Sequence, residues 1–118
     1  MATSVVLYDA EQTVGATGSF YWNKGSNFLT LSGVKEIAVQ LNITIGTSIT
    51  GVFSIQLSCD GVNWADYKVG GTLVKEDITA TGAYIIALET PCLYIKPKLA
   101  ASAISGDSTV QFYVNGKD

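Results

Sequence analysis

Gly51-Val-Phe-Ser-Ile-Gln-Leu-Ser-Cys-Asp-Gly-Val-Asn-Trp-Ala-Asp-Tyr67 decides the fold class. Phe53, Ile55 and Leu57 alternate with their neighbours at the period of a half-buried strand, and Asp60-Gly61 supplies the turn before a return strand carrying Trp64 and Tyr67. The stretch predicts a β-hairpin whose structural residues are Asp60, Gly61, Trp64 and Tyr67: a turn pair and two large aromatic anchors.

The same period extends to either side. Upstream, Ile37, Val39, Leu41, Ile43 and Ile45 fall on one face of a strand over 36–45, with Ala38, Gln40, Asn42 and Thr44 on the other. Gly46–Thr50 reads as a loop. Downstream, 72–74 reads as a short strand, Lys75–Asp77 as a polar link and 79–82 as a turn. Residues 83–88 are nearly all apolar, which predicts a strand buried on both faces or packed against a neighbour. Leu93, Ile95, Pro97 and Leu99 share one face of a further strand, with Pro97 favouring an edge or a bulge. Ala100–Asp107 reads as a small-residue loop, and Val110, Phe112 and Val114 mark the last strand. Toward the N-terminus, 28–31 and 18–22 read as strands. Thr3–Tyr8 reads as a first strand, or, with residues 1–9, as an arm that adds to a neighbour's sheet. Some eight to ten short strands, roughly 8–12 residues apart with turn residues between them, predict one antiparallel β-sandwich or jelly roll over 1–118.

Composition narrows the function. The 118 residues are 47% hydrophobic but only 14% charged, against roughly 25% in typical soluble domains, so Ser, Thr, Asn, Gln and Gly must carry the surface. That surface suits packing against other subunits. The net charge is −3 and the seven basic residues are all Lys, scattered along the chain, which argues against nucleic acid. The absence of His removes the usual general base and the commonest transition-metal ligand. Residues 1–9 show neither a basic leader nor a long apolar run, so synthesis in a cytoplasm and no membrane partner are expected.

The residues that carry chemistry elsewhere read as structural here. Asp60, Asp66 and Asp107 lack the dense Asp/Asn/Gly spacing of a calcium loop and are read as turn and capping residues. Asp60 and Asp66 are set aside as a glycosidase pair, because so small a domain suggests no cleft. Cys59 continues the inward parity of Leu57, whereas Cys92 opposes Leu93, so thiols rather than a disulfide are expected. The sequon Asn42-Ile-Thr44 lies within a strand and is read as coincidental. The aromatics Phe20, Tyr21, Trp22, Trp64, Tyr67, Tyr84, Tyr94 and Tyr113 fit core or interface packing, with a sugar-stacking platform that includes Trp22 and Tyr94 as the alternative. No catalytic, cofactor or metal residue is assigned, and an enzyme is not expected.

Ile55-Gln-Leu-Ser-Cys-Asp-Gly-Val-Asn-Trp64, followed by Cys92-Leu-Tyr-Ile-Lys-Pro97, resembles a pattern common in tailed-phage virion proteins. In these a strand enters a Ser-x-Asp-Gly-x-x-Trp hairpin and a later strand carries an aromatic, Ile or Val, and a basic residue. Similar residues occur in discoidin-type carbohydrate-binding domains. Those are longer, usually carry Arg where Lys96 stands, and have an early Asp-Gly-x-x-x-Ser-x-Trp segment that is missing here. The resemblance implies a capsid decoration (cement) protein or a small head, neck or tail component, often trimeric, with the major capsid protein or another virion protein as partner. On that reading the chain is assembled in the host cytoplasm and resides in the virion. The expected contact residues are Val5, Leu7 and Tyr8 of the arm, Ser48 and Ile49 of one loop, and Ser102 and Ile104 of another, because termini and loops order readily on a partner. The alternative is a carbohydrate-binding or host-attachment module.

Overall fold

Two long alternating strands form the centres of two antiparallel sheets. In the computed structural model, which describes residues 4–31, 36–89 and 94–117, the first sheet holds β1 (Ser4–Tyr8), β2 (Gln12–Val14), β5 (Glu36–Thr44), β11 (Gly82–Glu89) and β13 (Ser108–Lys117). Its order is β1-β13-β5-β11, with β2 also paired to β13. The second sheet holds β3 (Gly18–Tyr21), β4 (Leu29–Thr30), β6 (Ser48–Ser58), β7 (Ala65–Asp66), β10 (Lys75–Ile78) and β12 (Tyr94–Ser105). Its order is β10-β6-β12-β3, with β4 also on β12 and β7 on β6. A small ribbon of β8 (Lys68–Val69) and β9 (Thr72–Leu73) lies outside both.

The sheets face each other across one apolar layer, making a single β-sandwich. Val39, Leu41, Ile43, Val110, Phe112 and Val114 point inward from the first sheet, and Phe53, Ile55, Ile95 and Leu99 from the second. Phe53 meets Phe112 at a centroid separation of 6.1 Å. Complete burial of a side chain of this size contributes about 1.5–3 kcal/mol. The chain crosses between sheets repeatedly, and two crossings touch at one end: β5 to β6 through Gly46, and β12 to β13 through Gly106 and Asp107. A Cβ on Gly46 would lie 2.3 Å from the Asp107 carbonyl oxygen, so only glycine lets these crossings approach. The Gly46 N–H donates to Ser108 Oγ (3.2 Å) and the Thr47 N–H to the Ser105 carbonyl (3.1 Å).

Several expectations need correction. Residues 48–50 are not loop: they open β6, and β12 runs on through 100–105, so Ser48 pairs Ser105 and Ile49 pairs Ile104. A register shift between Ala101 and Ala103 hid this from the parity pattern. One extra residue, Ser102, turns Ala103 outward and brings Ile104 back toward the core. Pro97 sits in a central strand rather than at an edge. Its carbonyl accepts from the Trp22 N–H (3.3 Å), so its nitrogen faces the same side, at the break between β3 and β4 where no donor is needed. The expected polar link 75–77 is part of β10, and β11 is not buried on both faces, because Ala83, Ile85 and Ala87 point to solvent. Cys59 is exposed just beyond the end of β6, where strand parity no longer holds, while Cys92 lies outside the described residues.

Residues 4–8 form the expected first strand, within the chain's own sheet. Ser4–Tyr8 pairs in register with 113–117 of β13, and Asp9, the last residue of the expected arm, is buried. Asp9 Oδ1 accepts from the Phe112 N–H (2.8 Å) and Oδ2 from the Asn23 N–H (3.0 Å), so one carboxylate ties the first sheet to the chain leaving β3. Burial pushes its pKa up, against the pull of these donors.

Candidate functional site

Among the described residues no group of His, Cys, Asp or Glu is placed to hold a metal ion, and the most informative features are the two outward sheet faces. Register places the outward residues of the first sheet in rows. Val6, Asn115, Ala38 and Ala87 form one row; Tyr8, Tyr113, Gln40 and Ile85 the next; Gln111, Asn42 and Ala83 a third. Thr13, Thr109 and Thr44 finish that end, and Glu36 with Glu89 the other. The three central rows carry no charged side chain. Val6 (69%), Tyr8 (56%) and Ile85 (54%) are nonetheless well exposed, three of the five large exposed hydrophobic residues among those described. The polar groups between them are largely paired within the face: Tyr113 OH donates to Gln111 Oε1 (3.1 Å) and Gln40 Nε2 to Asn42 Oδ1 (2.7 Å). The Tyr8 and Tyr113 rings pack at 6.0 Å, with Lys24 Nζ 5.2 Å from the Tyr8 centroid. Val6, Ala38, Ala87 and Asn115 open onto a groove of about 740 Å³ bordered by Glu36 and Glu89.

The second sheet's outward face is chemically different. Lys96 lies between two rings, with Nζ 4.3 Å from the Trp64 centroid and 5.0 Å from that of Tyr21. Phe28 joins the group, 5.3 Å from Trp64 and edge-on to Tyr94 at 5.8 Å. Lys98 lies between Tyr21 and Ser54 in register, and Gln56 Nε2 donates to Asp66 Oδ1 (3.3 Å). This is a cationic, aromatic platform, whereas the first face is neutral.

The 59–64 loop abuts that platform. Ser58 Oγ accepts from the Asp60 and Gly61 N–H groups, and Asp60 Oδ1 accepts from those of Val62 and Asn63 (2.9 and 2.8 Å). These donors hold the Asp60 carboxyl well below its ordinary pKa. Gly61, at φ +76°, rests against the Tyr94 ring. The return strand is only Ala65–Asp66, flanked by half-buried Trp64 and Tyr67; the Tyr67 N–H reaches the Ile55 carbonyl (2.8 Å). Asp60 and Asp66 thus have structural partners.

The expected contact residues do not form one surface. Tyr8 points outward on the neutral face and Leu7 packs on the core; the side chain of Val5 lies outside the described residues. Ser48, Ile49, Ser102 and Ile104 lie at the far end of the β6–β12 ribbon, with the two isoleucines packed against the core. Trp22 cannot stack on a sugar, because it is 3% exposed and belongs to the core. Tyr94 belongs to the platform, together with Tyr21, Phe28, Trp64 and Lys96. The neutral rows escaped sequence reading because they join strands far apart in the chain. Their one visible signal was the apolar run 83–88.

No family model matches the chain, and no curated protein matches it. Solved structures are similar in fold. A chain of the Kashmir bee virus empty particle at acidic pH superposes with a TM-score of 0.53 at 10% identity, covering 97% of this chain and 90% of that one. The SPBc2 prophage-derived protein YomS gives 0.51 at 13% identity, covering 98% and 95%. The Yersinia pseudotuberculosis-derived mitogen gives 0.50 at 9%, covering 97% and 86%. These likenesses place the chain among compact β-sandwiches, including a prophage-derived protein and a virus-particle protein, at the level of fold alone.

Proposed function

We propose that the chain is a non-catalytic structural protein of a tailed-phage virion, a decoration protein that sits on the head shell as a homo-oligomer and stabilises it. The observation that carries this reading is the neutral outward face of the first sheet. Exposed Val6, Tyr8 and Ile85 stand among amide and phenol groups that bond to one another, a surface whose exposure makes sense when another protein covers it. The strand orders β1-β13-β5-β11 and β10-β6-β12-β3, wound by repeated crossings, are compatible with a jelly roll, an architecture found in viral capsid proteins, and support this reading. Folds alike in a prophage-derived protein and a virus particle add support. A decoration protein performs no reaction. It bridges neighbouring shell subunits, and many weak contacts repeated over a lattice sum to a strong one. Trimers on the shell are the expected arrangement. Mass spectrometry of purified particles tests the reading: the chain should be present in many copies per particle, and its absence from particles made by cells that express it would overturn the assignment.

A second reading rests on the other face. The Tyr21, Phe28, Trp64, Tyr94 and Lys96 platform has the aromatic character of a sugar-binding surface, with Lys98 and Gln56 beside it. Saturable binding on a glycan array, lost in Trp64→Ala, would favour this host-attachment role; a silent array removes it.

A further inference from the structure

Edge strands present unpaired backbone N–H and C=O groups, and folded proteins usually protect long ones with charge, proline or brevity. The second sheet follows that rule, since β10, at its edge, is Lys75-Glu-Asp-Ile78 and β3 is four residues long. The first sheet does not. β11 is eight residues long, pairs only with β5 among the described residues, and carries no charge or proline over 82–88, with Ala83, Ile85 and Ala87 exposed.

We propose that β11 is a docking edge for β11 of a second copy, paired antiparallel about a two-fold axis at Ile85. The occupant follows from the sequence of the edge itself. In that register Ile85 faces Ile85, Ala83 faces Ala87 on the outward side, Tyr84 faces Ile86 and Gly82 faces Leu88 on the inward side. Small residues therefore meet at Ala83–Ala87, Gly82 makes room for Leu88, and the large pairs Ile85–Ile85 and Tyr84–Ile86 set β-branched side chains against a β-branched or aromatic partner. Charge agrees: Glu89, the one ionised residue of β11, falls opposite uncharged Thr81 of the other copy rather than opposite its own counterpart. An acidic or basic partner would find no complementary charge along 82–88. Such a contact is isologous, closes on itself as a dimer and makes the two first sheets continuous; it is separate from the three-fold contact of a trimer and would join one trimer to the next. It also gives the apolar run 83–88 its neighbour. Eight residues a side are fewer than the 20–30 of a standard stable interface, so the contact is weak in dilute solution and gains strength where copies are concentrated on a surface. The inference rests on this edge alone and stands or falls separately from the virion assignment.

Analytical ultracentrifugation of the full chain from micromolar to millimolar concentration tests it. The wild type should show concentration-dependent dimers. Ile85→Lys, which places two ammonium groups face to face across the axis, should weaken association by at least about tenfold at an unchanged melting temperature. Val6→Lys, on the opposite edge strand, should leave it unaltered. In a background with Cys59 and Cys92 replaced by Ser, oxidised Ile85→Cys should cross-link to itself, whereas Ala83→Cys should cross-link only when mixed with Ala87→Cys. A strict monomer at millimolar concentration, association insensitive to Ile85→Lys, or cross-linking of Ala83→Cys alone would each overturn the proposal.

Discussion

Two aspartates show why one residue is legible in a sequence and another is not. Asp60 bonds to the N–H groups two and three residues ahead, so Ser-x-Asp-Gly announces its own turn. The backbone donors to Asp9 are 14 and 103 residues away, and the local donor Gln12 Nε2 (3.4 Å) does not by itself mark it as buried. Asp9→Asn keeps one acceptor but turns an NH2 group toward a backbone donor, which should cost about 1–3 kcal/mol in urea unfolding. The titrations of the two should run in opposite directions. The Asp60 pKa is lowered, so its contribution is present above the ordinary value of 3.8 and lost as pH falls through the lowered one. The gap in melting temperature between wild type and Asp60→Asn should therefore close in acid. The Asp9 pKa is raised from 3.8, so its contribution is present below that value and lost as pH rises through the folded pKa. The gap for Asp9→Asn should narrow as pH rises. Gly46→Ala forces a methyl into the Asp107 backbone, and a loss of about 1–3 kcal/mol is expected from such overpacking.

At the level of elements, strands whose parity is unbroken were readable and strands that change parity were not. Over 36–44 the buried residues alternate without interruption, as the sequence pattern says. β12 keeps its alternation only to Ala101, and the extra residue Ser102 made its last turn of pairing look like a loop. Because the shift is local, deleting Ser102 leaves Ile104 opposite Ile49 and should preserve a cooperative unfolding transition. Deleting Lys98 instead reverses the parity of every inward residue on one side of the cut, and the variant should fail to show that transition by circular dichroism. The run 83–88 left two readings open for a related reason: composition cannot separate burial on both faces from packing against a neighbour, and the exposure of Ala83, Ile85 and Ala87 removes the first.

The whole molecule presents a neutral face and a cationic, aromatic face on opposite sides of one core. The β-sandwich was legible because alternation and turn chemistry are local signals. The faces were not, because each gathers residues from β1, β5, β11 and β13, or from β3, β6 and β12, whose register the sequence does not state. The virion reading assigns shell contact to the neutral face, which makes the two faces separable by mutation. Tyr8→Glu and Lys96→Ala should both fold, since Tyr8 is exposed and Lys96 half-exposed. The most direct measurement is the occupancy of purified heads lacking the protein after incubation with each variant, read by cosedimentation. Wild type and Lys96→Ala should saturate the shell while Tyr8→Glu fails to bind; no binding by the wild type, or full occupancy by Tyr8→Glu, would contradict the account.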